Sequence, residues 1–470
     1  MRACALVARY FYTIYTKFHN PFTQKTHNPM KTEKRIIQKP MKTLNKLVML
    51  VLVTFSMMGC QIKSGQITHQ KDYNKYLMLK ENKSIDFTKG EIEFWQKKYD
   101  AAPNQTSYLG QIAANYAKLF EITGNIDYLY KSEALLLKSN ESLLYTNAGT
   151  IRSLARNYIS QHRFKEALIL AHKAFVLDDA KETQKLLFDV NFELGNYAEV
   201  QKNLESIKDL NNYDYLIRSA KWNDHKGDLK SAIYFMEKAK FQAESNDNKA
   251  LEIWTYSNLG DLNGHAGNIK ASYDYYLKTL ALAPNNTYVM KGIAWIVFSH
   301  EKNTKEARRI IDIISKKHDT PDFYLLKSKI AEYENNAPAK KESLDKYFKM
   351  LADHNYGAMY NRYNTLIYAD DKMTASKALE IAKIEVDHRP TPDSYDLLAW
   401  SYYNLGDVKR ALDIEQRFVF GKSQEPMLKY HQAVIYKANN KTEVIIPIKK
   451  ALQASIFELG PSYDKKIAQL

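Results

Sequence analysis

The chain has 470 residues, enough for several ordinary domains or one long repeat array, so length alone does not choose between them. A hydrophobic share of 45%, a charged share of 26% and only 12 prolines exclude a disordered chain. The formal charge of +15 suggests nucleic acid, but residues 1–59 hold ten Lys and Arg against Glu33 alone, and the +6 left over the rest includes no basic run.

Taken in chain order, residues 1–40 follow no targeting logic and are expected to be an over-long, disordered extension ahead of a start at Met41. Residues 41–46 (MKTLNK) are basic, and 47–58 form an uncharged run of twelve residues. A bilayer core of about 30 Å takes about 20 apolar residues, so this run is too short to span one and fits the apolar region of a signal peptide. Gly59 and Cys60 close it. The stretch resembles the lipobox of bacterial lipoproteins, with Met57 where that motif prefers leucine and Met58 where a small residue is commoner. The resemblance implies a signal peptide over 41–59, a diacylglyceryl group on the Cys60 sulfur, and a tether over 60–72. Gln61 in place of aspartate implies passage to an outer membrane. The alternatives are a signal peptide cut elsewhere, or an anchor helix with Cys60 incidental. Cys4, the other cysteine, lies in the segment expected to be removed, so a processed chain has neither an internal disulfide nor a multi-thiolate metal site.

Beyond the leader the chain is self-similar. In "LARNYISQHRFKEALILAHKAFVLDD" (154–179), Leu154, Ala155, Tyr158, Phe164, Ala167, Ala171 and Ala174 recur at offsets of mostly three and four, the pattern of an amphipathic helix pair. The same frame returns in 254–284 with Leu259, Gly260, Gly267, Ile269, Tyr276 and Pro284. It returns again in 394–418 with Leu398, Ala399, Tyr402, Gly406, Val408 and Ala411. These residues resemble the tetratricopeptide repeat (TPR). The implied fold is all-α, a right-handed α-solenoid of antiparallel helix pairs with about ten repeats over 110–460. Units start near Gly110, Ala148, Lys181, Tyr213, Ile253, Thr287, Asp322, Met359, Pro392 and Pro426. The frame is clear in the units from 148, 253 and 392 and faint in those from 287, 322 and 359. Ten such units are expected to coil through more than one superhelical turn, with helix A of each lining the inner wall. Residues 73–109 are expected to form an N-terminal helical cap. Glu244 and the residues up to Leu251 read as an insertion, 332–341 as a long loop around Pro338, 448–460 as the last full helix, and 461–470 as a tail.

No catalytic motif appears: G-x-S-x-G, H-E-x-x-H, G-x-x-x-x-G-K-[ST] and G-x-G-x-x-G are all missing, and the histidines after residue 60 lack metal-ligand spacing. The expectation is therefore a non-enzyme with no cofactor, no metal and no nucleic acid. Inner-wall positions of helix A collect Tyr288, Phe323 and Tyr360 and, as the leading groove candidates, Trp295, Phe298, Tyr333, Tyr363, Trp400, Tyr403 and Tyr430. Aromatic anchors of this kind carry much of the energy of protein interfaces. A register shifted by one or two residues would return several of them to the core. The equivalent N-terminal positions hold Arg152, Arg156 and Lys185, with Lys221; these read either as a basic groove that takes a peptide carboxylate or as a solvated basic face. The functional expectation is a lipid-anchored scaffold that binds a protein or peptide in the bacterial cell envelope. The alternative is a glycan- or nutrient-binding lipoprotein of an outer-membrane uptake system.

Overall fold

A computed structural model describes residues 65–79, 81–318 and 320–470; Cys60 and the leader lie outside the described residues. Within them the chain is helical throughout, with 24 α-helices and no strand. The first two are α1 (Gln70–Leu77) and α2 (Lys83–Ala101). Ten helix pairs follow. Their first members are α3 (Ser107–Thr123), α5 (Ala148–Ser160), α7 (Lys181–Leu194), α9 (Tyr213–His225), α11 (Lys249–His265), α13 (Thr287–Trp295), α15 (Pro321–Tyr333), α17 (Asn361–Ala369), α19 (Pro392–Asn404) and α21 (Pro426–Ala438). Their partners are α4 (Asp127–Ser142), α6 (Phe164–Leu177), α8 (Tyr197–Ser206), α10 (Leu229–Ser245), α12 (Ile269–Leu282), α14 (Thr304–Ile314), α16 (Ala337–Asp353), α18 (Ala375–His388), α20 (Val408–Ile414) and α22 (Ile445–Ala454). Short α23 (Ile456–Leu459) and α24 (Tyr463–Ala468) end the chain. The architecture is a TPR-like α-solenoid.

Two local rules write this pattern. Asparagine or aspartate opens helix after helix by accepting a backbone N–H with its side chain: Asn147 from Thr150, Asn248 from Leu251, Asn303 from Glu306 and Asp407 from Arg410. Between the two helices of most pairs one residue takes a left-handed conformation. Glycine supplies it at 195, 227, 267 and 406, whereas His162, Lys302, Asn335 and Asn440 supply it elsewhere at φ of 55–60°. This explains the faint units from 287 and 322. Lys302 and Asn335 keep the turn without the glycine that marks it in the sequence.

The polar stretch 332–341, expected to be a long loop, is a tight turn instead. Asn336 caps Ala339, and Pro338 sits in the first turn of α16, where its missing N–H costs nothing. The expected insertion before Leu251 is likewise absorbed as helix, because α10 and α11 are both 17 residues long. At the C-terminus the helix breaks at Ser455, and the expected tail forms α24, whose Ile467 is buried with Leu452 and Leu459.

Residues 73–109 do not form one cap. Helix α2 packs on α3, with Trp95 5.7 Å from Tyr108, but α1 lies on α12 of the fifth pair and α14 of the sixth. Tyr73 and Leu77, four residues apart, bury one face of α1 among Tyr273, Ile310 and their neighbours. The Glu301 carboxylate accepts the backbone N–H of Ile67 (2.8 Å) and of Thr68 (2.6 Å), and Tyr73 donates its hydroxyl to Glu306 (2.8 Å).

The array coils tightly enough for its second turn to rest on its first. His318 donates through Nδ1 to the carbonyl of Ile122 at 2.8 Å, across 196 residues. Arg389 reaches Glu193 at 3.5 Å, Lys165 reaches Asp387 at 3.0 Å, and Trp295 donates to the carbonyl of Phe457 at 3.0 Å.

Candidate functional site

The turn-on-turn stacking borders a half-open cavity of about 610 Å³. Its sides come from the first helices of the fifth to eighth units, α11, α13, α15 and the turn into α17; further walls include the start of α2, α3, the loop after α12 and α23. The volume falls in the range of about 300–1,000 Å³ typical of ligand pockets. Of the leading aromatic candidates, Trp295 and Tyr363 line it, joined by Tyr288, Phe323 and Tyr360. Phe298 and Tyr333 do not. Phe298 is 1% exposed in the core and packs edge-on against Tyr333 at 5.8 Å. Trp400, Tyr403 and Tyr430 gather in a separate stack, in which Trp400 lies flat between Tyr403 (5.1 Å) and His431 (4.0 Å) while Tyr430 meets Tyr463 edge-on (5.0 Å).

Small residues shape the cavity's wall. Tyr276 of α12 pushes its ring between Gly260 of α11 and Gly292 of α13; a Cβ built on either would lie 2.3 or 2.7 Å from that ring. Its hydroxyl donates to Asp261 (2.7 Å), which also accepts the hydroxyl of Tyr288 (2.6 Å). Burial, followed by the neighbouring Asp261 charge, pushes the Tyr276 phenol well above its usual range, so it remains a donor. Trp295 and Ser299 both donate to the Phe457 carbonyl, at 3.0 and 2.7 Å, and so lock the C-terminal hairpin against the cavity. Among the described residues no cluster of His, Cys, Asp and Glu has the makings of a metal site.

The basic candidates are neither a solvated face nor an open groove. Lys185 is 6% and Arg156 8% exposed, and Lys185 pairs with Asp214 at 2.7 Å. Arg152 donates to Thr183 at 3.0 Å and pairs with Asp178 at 3.3 Å. Arg218 pairs with Asp189 at 2.6 Å, and Lys221 with Glu193 at 3.0 Å. Apart from Arg152–Asp178, each contact joins one unit to the next at a spacing of 28–31 residues, so the Lys185, Arg218 and Lys221 pairs form a buried ladder between neighbouring helices A. Burial pushes Glu193 up, but Lys221 and Arg389 more than offset it and hold the carboxyl below its ordinary range. For Asp189, burial outweighs the pull of Arg218 and leaves the carboxyl raised.

No protein-family model matches the chain, and no curated protein matches it. Solved structures overlap it loosely. The human IFIT1 dimer with PPP-AAAA is 15% identical, with a TM-score of 0.42 over 66% of this chain and 71% of its own. Yeast Tom70 is 14% identical, with a TM-score of 0.33 over 85% and 97%. Pseudomonas aeruginosa PilF is 15% identical, with a TM-score of 0.34 over 44% and 97%.

Several wall residues were not among the sequence candidates. Trp254 occupies the second position of the unit that starts at Ile253, so the rule that found Trp295 and Tyr363 extends to it once the fifth unit is included. Phe457 and Glu458 carry no such mark. They reach the cavity only because the second turn folds back over the first.

Proposed function

We propose that this chain is a binding scaffold which holds a peptide segment of a protein partner in this cavity. The observation that carries the reading is the convergence there of aromatic rings from four successive units, together with polar groups fixed by their own neighbours. Large rings and a few oriented polar groups are what recognition sites use to combine affinity with selectivity. The remaining part of the proposal is that Cys60 is acylated and places the scaffold in the envelope of a bacterium, on its outer membrane. The apolar run 47–58 ending in Gly59-Cys60 supports this, and several acyl chains at about 0.8 kcal/mol per methylene would hold the protein stably.

Two experiments test the parts separately. Selection of a random peptide library on the full chain should enrich binders whose affinity drops with Tyr363→Ala or Tyr288→Ala while helical circular dichroism is kept; enrichment indifferent to both changes refutes the cavity. Labelling cells with a palmitate analogue should mark the native chain and not Cys60→Ala, and equal labelling refutes the anchor. A glycan ligand is the second reading, favoured by the aromatic lining. An oligosaccharide array on the same protein tests it.

A further inference from the structure

The core that joins the ninth and tenth units is built from Ala399, Ala411, Ile414 and Ile435, yet it also takes in three ionisable side chains. Asp396 of α19 is 1% exposed, Glu415 0% and His431 of α21 2%. Glu415 opens the π-helical turn Glu415–Val419 that follows α20, and Phe418 pins that turn by stacking flat on Tyr395 at 4.0 Å. One Asp396 oxygen has a partner in the His431 ring at 2.8 Å, and that ring lies flat on Trp400 at 4.0 Å. The other Asp396 oxygen and both Glu415 oxygens are buried without a hydrogen bond of ordinary geometry among the described residues. The groups that act on Glu415 are Asp396, which opposes its ionisation, and the Gln432 amide and Tyr436 phenol of α21. Cations stand a step further off: Arg362 of α17 acts on Asp396 but is paired with Asp393 at 2.8 Å, and Asp370 bears on His431 with the opposite sign. A carboxylate without a donor, set beside a second carboxylate in a dry core, gives up its charge by keeping a proton. Burial, and then the Asp396 charge, hold Glu415 well above the usual carboxylate range.

We infer that Glu415 is a proton-operated latch between the ninth and tenth units: protonated, it donates to Asp396 and lets α21 seat on α19; ionised, it sets two buried carboxylates against each other and loosens α21. Because the folded chain holds this proton more tightly than the unfolded one, the docking is whole at low pH and weakens as pH rises through the folded value. The C-terminal hairpin moves with α21, on which α23 packs. Phe457 of α23 supplies the carbonyl that holds Trp295 and Ser299 at the cavity, so ionisation of Glu415 withdraws one of the cavity's walls. That consequence rests on the binding reading above; the latch itself does not.

Hydrogen exchange on the full chain in detergent tests the latch, with α12 in the same sample as the internal standard that cancels the chemical rate. Between about pH 5 and about pH 10, opening of α21 relative to α12 should rise by up to about tenfold per pH unit once Glu415 ionises, the limit for release of one proton. Glu415→Gln, whose amide donates to Asp396 as the acid does, should remove that rise, while any slope owed to His431 persists. A wild-type ratio that stays flat over the interval, or an equal rise in the variant, overturns the latch. If the variant misfolds, infrared spectra of the wild-type chain made with isotope-labelled glutamate decide instead. A neutral glutamate carboxyl at neutral pH, fading over the interval in which α21 opens, supports the latch, and its absence overturns it. Peptides selected on the cavity should lose affinity over the same interval; unchanged affinity while α21 opens overturns the latch's control of the site. A chain that selects no peptide overturns the binding reading, and the exchange result still decides the latch.

Discussion

Replacing Arg218 by methionine isolates the contribution of the buried charge ladder. The guanidinium is fully buried, 2.6 Å from an Asp189 oxygen whose side chain is 3% exposed, and it also donates to the Asp214 carbonyl at 3.1 Å. Removing one member of such a pair strands the other charge in a dry site, which costs about 3–5 kcal/mol. Here Lys221 and Arg156 also pull on the Asp189 carboxyl, and burial already raises it toward its neutral form. The low end, about 3 kcal/mol, is therefore expected. Urea unfolding at pH 7 followed by circular dichroism measures the loss, and hydrogen exchange should locate it in α7 and α9. Units of a repeat array are coupled mainly through their neighbours, so the transition should broaden as well as shift. Adding Asp189→Asn to Arg218→Met should recover part of the stability, because no charge is then stranded. A cost below about 1 kcal/mol for Arg218→Met, or a double variant whose loss is the sum of the single ones, would refute the reasoning.

Three other substitutions read different parts of the structure. Gly260→Ala would ordinarily stabilise a helix by about 0.5–1 kcal/mol. Here the added methyl meets Tyr276, whose ring Gly292 backs on its other side, so a loss of about 1–3 kcal/mol in thermal melts is expected, and a gain would contradict the packing. Glu301→Ala removes the acceptor of Ile67 and Thr68 and should make 65–78 sensitive to limited proteolysis while the rest of the array stays resistant; an unchanged cleavage pattern would count against the clasp. His162 is lowered from 6.5 to about 4 by burial and then by Arg389, so between those values the unfolded chain binds a proton that the folded one refuses. Stability should fall by about 3 kcal/mol as pH drops through that window, and His162→Asn, which tolerates the positive φ there, should flatten the slope. An identical pH profile for the variant would exclude His162 as the cause.

Much of the fold is legible in the residues because its rules are local. Apolar spacing of three and four, asparagine caps and left-handed turn residues act within one helix pair, so they show in any window of about 34 residues. The units from 287 and 322 are faint because Lys302 and Asn335 adopt a glycine's conformation. Pro338 misleads for a similar reason: the same residue ends one helix or opens the next, and the Asn336 cap decides which.

The candidate site is legible by half. Trp295 and Tyr363 follow from helix-A positions, but the same rule selected Phe298, which a π-helical end of α13 over Ile296–His300 keeps in the core, and Trp400, which stacks on His431. Lys185 and Lys221 read as a basic face because their acidic partners, Asp214 and Glu193, lie 29 and 28 residues away on a neighbouring helix A, a distance at which sequence shows composition and not contact.

What the sequence determines by itself is the repeat: which segments are helical, where they turn, and that neighbouring pairs must stack to bury their apolar faces. What the tertiary structure decides is the pitch. Only the descent of the second turn onto the first brings Glu121, Asp261 and Glu458 to one cavity, seats α1 on the fifth and sixth units, and sets Arg389 on Glu193. Helix pairing is governed by interactions a few residues apart. The pitch sums small rotations over many units, and no single window of sequence contains that sum.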